Sequence, residues 1–426
     1  MATKYVYNQI TEESNIFRAE IQLDNKIITT PFYGSSISSN IDAECLREAN
    51  LSKKLEHTQV VSYSIGDAER FKTIMQKGLL EFTGQKLDFK PFSEFVLTID
   101  PSLEYLRHHV EAEVEKLLSI SDLPDVIKEI LVTKKAERGN NLKNLMKNEN
   151  KISGIVEWYL KKAIGYGSKT AIAPCLPIEG DNTLKFASTV NRLAVTIQES
   201  NEWQKTSYYL IDFKCFNDRS ILHTIIKQAQ SLNPNIFVFK LINGHYFYNT
   251  DAIVERNNLT YFLDELYKLR VQNKMLTFSL NTDSIGYYFL ARGVGGFIEP
   301  ISGSFNPFIM GRKKEVDLEE DTTKKRVIEG KYAHPLKLIE CDYNYMKELN
   351  KSNGKPFPCD CFECSRYSSL PKGNDYNRAR RKHRAYIRDR FITEFNEAVV
   401  GNKLRVSMFD RMAESPKLGL FKNFYS

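Results

Sequence analysis

The strongest constraint on the fold is an alternation of apolar, strand-like runs with helical stretches, which recurs eight times in the chain. The runs are rich in β-branched and aromatic residues, and the stretches between them carry apolar residues at helical spacing. The runs are KIITTPFYG, HTQVVSYS, EFVLTID, TAIAPCLPI, SYYLIDFK, NIFVFKLING, KMLTFSLN and GGFIEPISG. Parallel strands covered by helices bury both faces, so eight such units predict an α/β fold closed as a (β/α)8 TIM barrel.

An open, doubly wound sheet is the competing architecture. Such a sheet usually carries a glycine-rich phosphate turn after its first strand, and GSSISSN at 34–40 is not one. We therefore predict a lead-in at 1–26, a barrel over 27–310 with a Lys-rich helical insertion near 121–167, and a C-terminal subdomain at 311–426. A chain of 426 residues with 42% hydrophobic content can bury a core of this size.

Three cysteines crowd into the short run Cys359-x-Cys361-x2-Cys364, and His383 follows on a basic segment. Four ligands of these types surround one tetrahedral ion, and a tight C-x-C turn presents two thiolates together. The pattern predicts zinc, and since no position is left for water the ion is predicted to be structural. A loop with free thiols is the alternative.

The run CDCFECSRYS at 359–368, followed by a histidine that opens a basic, aromatic helix, resembles the zinc segment that ends the barrel of tRNA-guanine transglycosylases. The gap before the histidine is somewhat longer in that family. Two further passages are similar in the same order: KGLLEFTG with EFVLTIDPS resembles the approach to an LTDSGG-type strand, and KMLTFSLNTDSIGYYFLARGVGGFIEP resembles the last strand, helix and strand. The resemblance covers about 27–400. It implies a TIM barrel that exchanges a guanine in nucleic acid for a 7-deazaguanine base.

Strand-end carboxylates are the candidate catalytic groups, because reacting groups in a barrel gather at the carboxyl ends of the strands. They are Asp100, Asp212 and Glu299, with Asp283 in a following turn. Asp100 ends the apolar run EFVLTI, where a carboxylate has little reason to lie unless it faces the mouth of the barrel. Capping of the helix that follows is its alternative role.

The resemblance implies two carboxylates, one a nucleophile on the ribose and the other a general acid or base. A carboxylate suits this reaction because it stabilises an oxocarbenium-like centre and can form a covalent sugar intermediate. Asp100 falls where one family aspartate lies. The other lies in an FDC sequence on the final strand, where this chain has Ile298 followed by Glu299. Glu299 and Asp212 are therefore alternative nucleophiles, although Glu299 can simply pair with a lysine after it and Asp212 can bind a backbone amide.

The Gly-Gly loop with which the family recognises its base is altered here to NGHYF. Asn243 and Gly244 remain, and their small size and amide group suit the admission and reading of a flat base. Tyr246 or Phe247 would stack on that base.

A basic segment follows the cysteines. Between Lys372 and Arg390 there are eight Lys or Arg and two acids, and the whole chain carries a net charge of +7. Arg380, Arg381 and Arg384 are predicted to bind the phosphates of a nucleic acid. A solvated helix face is the alternative.

The sequence predicts a cytoplasmic protein without a membrane partner, because it has no run of eighteen apolar residues and its start does not resemble an export signal. The remaining cysteines are scattered, which predicts reduced and mostly buried thiols. They are Cys45, Cys175, Cys215 and Cys341.

The leading hypothesis is a nucleic-acid guanine transglycosylase with Zn2+ as a structural cofactor. DNA is slightly favoured over tRNA, because the chain keeps the zinc cysteines and lacks the usual motifs of the tRNA enzymes. A non-catalytic nucleic-acid-binding paralogue is the second hypothesis, and FIEP in place of the FDC pattern favours it. An unrelated barrel hydrolase with a zinc appendage is the third.

Overall fold

A computed structural model describes much of the chain between residues 5 and 424. The described residues are 5–9, 18–52, 55–67, 79–82, 85–88, 96–100, 111–133, 141, 144–301, 332–333, 340–341, 344, 348, 359, 361–369, 371–400, 403–404 and 406–424. Residues 68–78 of the helix predicted after Asp67 and the first part of the helix predicted after Asp100 lie outside these ranges.

The chain begins with a small antiparallel sheet of three strands, β1 (Tyr5–Gln9), β2 (Ala19–Leu23) and β3 (Lys26–Thr30). A two-residue turn joins β2 to β3, with Leu23 opposite Lys26, and Asp24 in this turn has a φ of 54°. Asp tolerates this left-handed conformation, which two-residue hairpins favour. The run KIITTPFYG is therefore divided, since its first half pairs with β2 and only its second half enters the central sheet.

Seven parallel strands form the central sheet among the described residues, in the order β8, β5, β4, β12, β11, β10, β9. They are β4 (Phe32–Ser36), β5 (Thr58–Ser64), β8 (Val96–Asp100), β9 (Thr206–Asp212), β10 (Ile236–Ile242), β11 (Leu276–Ser279) and β12 (Gly296–Pro300). All seven were predicted as strands. Every residue of β9 and β10 is buried, as expected for parallel strands covered on both faces.

The central sheet is strongly curled. Strands β8 and β10 are five strand spacings apart in the sheet order, which would separate them by about 24 Å if the sheet were flat. Lys240 of β10 nevertheless places its Nζ 2.9 Å from Oδ2 of Asp100 on β8. The two side chains meet across the concave face, which we call the inner face.

The predicted strand at 170–178 is not a regular strand, but it contacts both edges of the sheet. Thr170 forms a single parallel bridge with Thr98 of β8, and Ile178 forms another with Ile211 of β9. Two prolines in the run lack an N–H to donate, which explains why no continuous ladder forms.

Helices surround the sheet. They are α1 (Asn40–Ser52), α2 (Glu111–Leu118), α3 (Asp125–Val132), α4 (Glu149–Gly165), α5 (Asp181–Ser200), α6 (Arg219–Leu232), α7 (Ile253–Asn273), α8 (Ile285–Ala291), α9 (Gly373–Ala398) and α10 (Val406–Ala413). The predicted Lys-rich helical region contains α3 and α4. Asn148 and Asp218 cap α4 and α6 by accepting from backbone amides of the first turn.

One predicted helix is wrong in its last part. The helix was expected to continue through Gly84, but β6 (Leu79–Phe82) and β7 (Gln85–Asp88) form an antiparallel hairpin there. Over so short a run, the apolar residues of LLEF fit both the helical and the strand periodicity.

Short strand pairs surround the cysteine run and the end of α9: β13 (Tyr332–Ala333) with β14 (Glu340–Cys341), and β15 (Val399–Val400) with β16 (Lys403–Leu404). A 3-10 helix, Leu418–Phe424, follows α10. Cys45, Cys175 and Cys215 are buried, as predicted, and form no disulfide among the described residues. Within the described ranges, no helix is both long and apolar enough to cross a bilayer.

Candidate metal centre and candidate active site

The four predicted metal ligands lie together. The sulfurs of Cys359, Cys361 and Cys364 and a ring nitrogen of His383 are all within 4.8 Å of one another. Nδ1 of His383 is 3.3 Å from Sγ of Cys361 and 3.2 Å from Sγ of Cys364. A tetrahedral ion with ordinary Zn–N and Zn–S bonds would separate such atoms by about 3.6 Å. The grouping is confirmed, and it is arranged to bind one metal ion.

Local backbone geometry presents the thiols. The amide of Cys361 donates to Sγ of Cys359 at 3.3 Å, and the amide of Cys364 donates to Sγ of Cys361 at 3.4 Å. Cys364 begins a short 3-10 turn, Cys364–Arg366. Amide donors stabilise negative charge on sulfur, so the turn favours the thiolate form that a metal requires.

His383 is held from behind by the strand β13. Its Nε2 donates to the carbonyl of Ala333 at 2.7 Å, which leaves Nδ1 facing the sulfurs. The ring of Tyr332 stacks on the imidazole at 4.0 Å, and its hydroxyl is 2.6 Å from Sγ of Cys364. Such outer contacts fix the tautomer and orientation of a metal-binding histidine.

The thiols of the cluster differ in acidity when no ion is bound. Hydrogen bonds from the neighbouring Cys361 and Cys364 thiols lower the pKa of Cys359, whereas burial raises the pKa of Cys364. A bound ion would deprotonate all three sulfurs, because a coordinating thiol gives up its proton to the metal's charge.

Asp100 lies at the carboxyl end of β8 on the inner face, as predicted, and is 4% exposed. Two donors reach the same carboxylate oxygen: Nζ of Lys240 at 2.9 Å and Nδ2 of Asn281 at 2.8 Å. We call Asp100, Lys240 and Asn281 the inner cluster. The two donors, one cationic and one an amide, hold this buried carboxylate in a fixed orientation.

Sequence reasoning missed Lys240 and Asn281. Lys240 is the one charged residue in IFVFKLI, a strand whose seven residues are all buried, and it is 2% exposed. A lysine in such a run is rare unless it has a partner, so its position was an available signal. Asn281 follows β11 with a φ of 49°, a conformation that asparagine tolerates better than most residues.

Asp212 ends β9 and is 3% exposed. The amide of Lys214 donates to its Oδ1 at 2.9 Å, which caps the 3-10 turn Phe213–Asn217, and Nδ2 of Asn243 donates to its Oδ2 at 2.8 Å. Burial raises the pKa of Asp212 although these two hydrogen bonds oppose the effect. The structure thus places Asp212 beside Asn243, and the alternative role as acceptor of a backbone amide is present.

The altered base loop forms a second 3-10 turn, Gly244–Tyr248, which begins after Asn243 in the left-handed conformation with a φ of 58°. Phe247 is buried among Phe213 and Phe216. Tyr246 is 43% exposed, and its ring contacts those of His245 and Phe213, with centroids 4.1 Å and 5.4 Å away.

Glu299 is buried against α9. Arg384 donates to its Oε1 at 2.7 Å, and Arg388 donates to Oε2 at 2.8 Å and to Oε1 at 3.1 Å. We call Glu299, Arg384 and Arg388 the outer cluster. Both carboxylate oxygens accept from guanidinium groups, so the ion pair foreseen for Glu299 exists with arginines of α9.

The sheet separates Glu299 from Asp100. Pairing places Ile298 opposite Gly34, and Gly34 opposite Val60, and a Cβ on Gly34 would lie 2.7 Å from the Ile298 side chain. Counting along β5 and β8 from Val60 puts Asp100 on this same face. Side chains alternate along a strand, so Glu299 points to the opposite face. The structure does not bring Glu299 together with Asp100.

The basic segment is largely internal. Arg380 and Arg384 are 3% and 2% exposed, Arg380 donates to Asn377, and Arg381 pairs with Asp42 of α1 at 2.7 Å. Other cations of α9 pair with α1 as well, Arg378 with Glu44 and Lys382 with Glu48. The burial of Arg380 and Arg384 does not fit a solvated helix face. Carboxylates of the same protein neutralise much of the charge, and phosphate binding by these arginines stays a prediction.

Comparison with other proteins adds no family to this geometry. No protein-family model and no curated protein sequence matches the chain.

Proposed function

We propose that the protein is a nucleic-acid guanine transglycosylase that exchanges a guanine for a 7-deazaguanine base, with DNA favoured over tRNA. One observation carries the proposal: Asp100 lies at a strand's carboxyl end on the inner face, where Lys240 and Asn281 orient it. The substrates, a nucleic acid and a 7-deazaguanine base, are inferred from the resemblance of CDCFECSRYS and LTID to the transglycosylases.

The proposal includes a closed (β/α)8 barrel, with 170–178 in the eighth position. The two single bridges from this segment to β8 and β9, the edge strands of the sheet, support closure. The carboxyl ends of the strands would then form one mouth, as in barrel enzymes.

Asp100 would act as the nucleophile. Its carboxylate forms a bond to C1′ of the nucleotide as the C1′–N9 bond breaks, and the guanine departs with the electron pair. N9 of the incoming 7-deazaguanine then attacks C1′ and releases the carboxylate. Lys240 and Asn281 hold the carboxylate in a fixed orientation, which lowers the cost of organising the site during the reaction.

Asp212 would handle the proton. Burial raises the pKa of Asp212, so its protonated form is more available near neutral pH than that of an ordinary aspartate. It would give a proton to the departing guanine and recover one from the incoming base. Pairs of carboxylates with different environments commonly divide acid and nucleophile roles in this way.

Zinc is the metal we propose for the Cys359, Cys361, Cys364 and His383 cluster, because three thiolates and one imidazole favour zinc and leave no position for water. The ion would be structural. Free, buried cysteines elsewhere in the chain agree with a reducing, cytoplasmic location, which we propose as well.

The test is incubation of the protein with DNA or tRNA and a 7-deazaguanine base, followed by mass spectrometry of the nucleosides. We expect the modified nucleoside to form, Asp100→Asn to abolish it, and a covalent adduct to be trapped on denaturing gels. Asp218→Asn is the matched control, since Asp218 is an exposed helix cap that asparagine replaces well. Exchange by Asp100→Asn at the unmodified rate would overturn the assignment.

A non-catalytic nucleic-acid-binding paralogue is the second candidate. The position of Glu299 favours it, because the strand that supplies a carboxylate in the family points its glutamate at α9 instead. Retained nucleic-acid binding without exchange or adduct on either nucleic acid would select this alternative.

A further inference from the structure

The orientation of the Asn281 carboxamide is determined by its neighbour. Asn281 donates from Nδ2 to Oδ2 of Asp100 at 2.8 Å. Because Nδ2 makes this hydrogen bond, the oxygen on the other branch of the planar carboxamide faces away from Asp100.

That oxygen is an unused acceptor. Oδ1 of Asn281 is buried and has no hydrogen-bond partner in the described structure, and the whole residue is 6% exposed. Leaving a buried amide oxygen unpaired costs free energy, and such groups in a folded protein call for an explanation. A second unpaired polar atom, Oγ of Ser62, lies on the same face, since Ser62 pairs with Thr98 two residues before Asp100.

The backbone of Asn281 is a second, independent indication. Its φ of 49° lies in the left-handed region, which costs a non-glycine residue free energy. Glycine would adopt this conformation without strain, but it has no carboxamide to place beside Asp100. Asparagine at this position therefore keeps a carboxamide beside Asp100 at the cost of a less favourable backbone conformation.

We propose that Oδ1 of Asn281 accepts a hydrogen bond from the nucleotide bound beside Asp100, and so selects a substrate that presents an N–H or O–H donor at this point. This inference rests on the proposed function. Lys240 cannot play the part, because an ammonium group only donates. The donors of a guanine nucleotide that lie near C1′ are the 2-amino group of the base and, in RNA, the 2′-hydroxyl.

The two sources are separated by four short single-stranded oligonucleotides that differ at one nucleotide: guanine or hypoxanthine, each on deoxyribose or ribose. Hypoxanthine lacks the 2-amino group, and deoxyribose lacks the 2′-hydroxyl. Equilibrium binding of each to the full chain is measured by calorimetry. We expect the oligonucleotide with the correct donor to bind about 10-fold or more tightly than its partner without it.

The variant that tests the residue is Asn281→Gly, which keeps the left-handed backbone and removes only the carboxamide. We expect it to abolish the preference for the donor and to fold normally by thermal unfolding. Asn233→Gly is the matched control, because Asn233 is exposed at the end of α6 with a φ of 44° and precedes the amino end of β10, whereas the inner cluster lies toward the carboxyl ends of the strands. The control should keep the full preference.

The outcomes separate this inference from the proposed function. Loss of preference in Asn281→Gly supports the inference, whether or not the protein exchanges bases. An unchanged preference in that variant overturns it while leaving the exchange reaction standing, and so does an absence of any preference in the unmodified protein. Base exchange itself is decided by the nucleoside mass spectrometry.

Discussion

The inner and outer clusters are both built on a buried carboxylate at the end of a strand, yet they are prepared for different tasks. Asp100 and Glu299 are each 4% exposed. Asp100 accepts from one lysine and one asparagine on the same oxygen, and the asparagine keeps an unpaired acceptor. Glu299 instead accepts from two arginines on both oxygens. The first arrangement leaves an unsatisfied polar group near the carboxylate, and the second gives both oxygens of the carboxylate a guanidinium donor.

The difference comes from the position of each residue along its strand. Glu299 follows Ile298, and this single step moves the carboxylate from the concave face to the face that α9 covers. A strand-end acid is therefore a catalytic candidate only when its position in the alternation places it on the inner face.

The largest effect should come from removing the metal, because the outer cluster depends on the helix that holds His383. Structural zinc sites contribute on the order of 10 kcal/mol. We expect Cys361→Ser to lose zinc and to unfold around α9, where Arg384 follows His383 directly. Elemental analysis and chelator-dependent unfolding measure this, with Cys175→Ser, a buried thiol outside the centre, as control. Full zinc content in Cys361→Ser would exclude the assigned ligands.

The next effect is expected from Glu299→Gln. Removing the carboxylate leaves two buried guanidinium groups that stay charged, and breaking a buried ion pair costs about 3–5 kcal/mol. Urea unfolding should show this loss, while oligonucleotide binding by the folded variant should be unchanged. Glu397→Gln, on the exposed side of α9, should change neither the stability nor the oligonucleotide binding. A binding defect in folded Glu299→Gln would mean that the outer cluster takes part in recognition.

Asp100→Asn should cost less, about 1–3 kcal/mol, because the buried lysine left behind can release its proton and the arginines of the outer cluster cannot. A second substitution, Lys240→Met, should recover part of that loss, since it removes the unpaired group. A double-mutant cycle in urea measures the coupling. Equal losses in Asp100→Asn and Glu299→Gln would erase the energetic distinction between the clusters.

How far the sequence predicted this structure depends on the range of the interactions. The seven strands, the main helices and the cysteine cluster were predictable, because apolar periodicity and ligand spacing are local. The side of the sheet to which Glu299 points and the ion pair made by Arg381 could not be predicted. The partner of Arg381 is Asp42, 339 residues away, and no local pattern marks it.

The smallest effect concerns Asp212. Burial raises the pKa of Asp212, so the folded protein binds this proton more tightly than the unfolded chain does, and the contribution of Asp212 to stability falls as the pH rises above about 4. Asp212→Asn removes that dependence. We therefore expect the stability of the variant relative to the unmodified protein to rise between pH 4 and pH 8, measured by urea unfolding at each pH. The opposite slope would mean that the folded protein stabilises the ionised form of Asp212.

The ion pairs between α1 and α9 have a consequence for synthesis on the ribosome. Asp42 leaves the ribosome long before Arg381, and translation of the 339 residues between them takes roughly 15–70 s. During that time the acids of α1 face water without their partners. The outer face of β4 and β5 is also uncovered, because α9 has not yet been synthesised. The first half of the sheet is therefore exposed to premature association until α9 has been synthesised, so the interval before α9 is where the nascent chain most needs protection by chaperones.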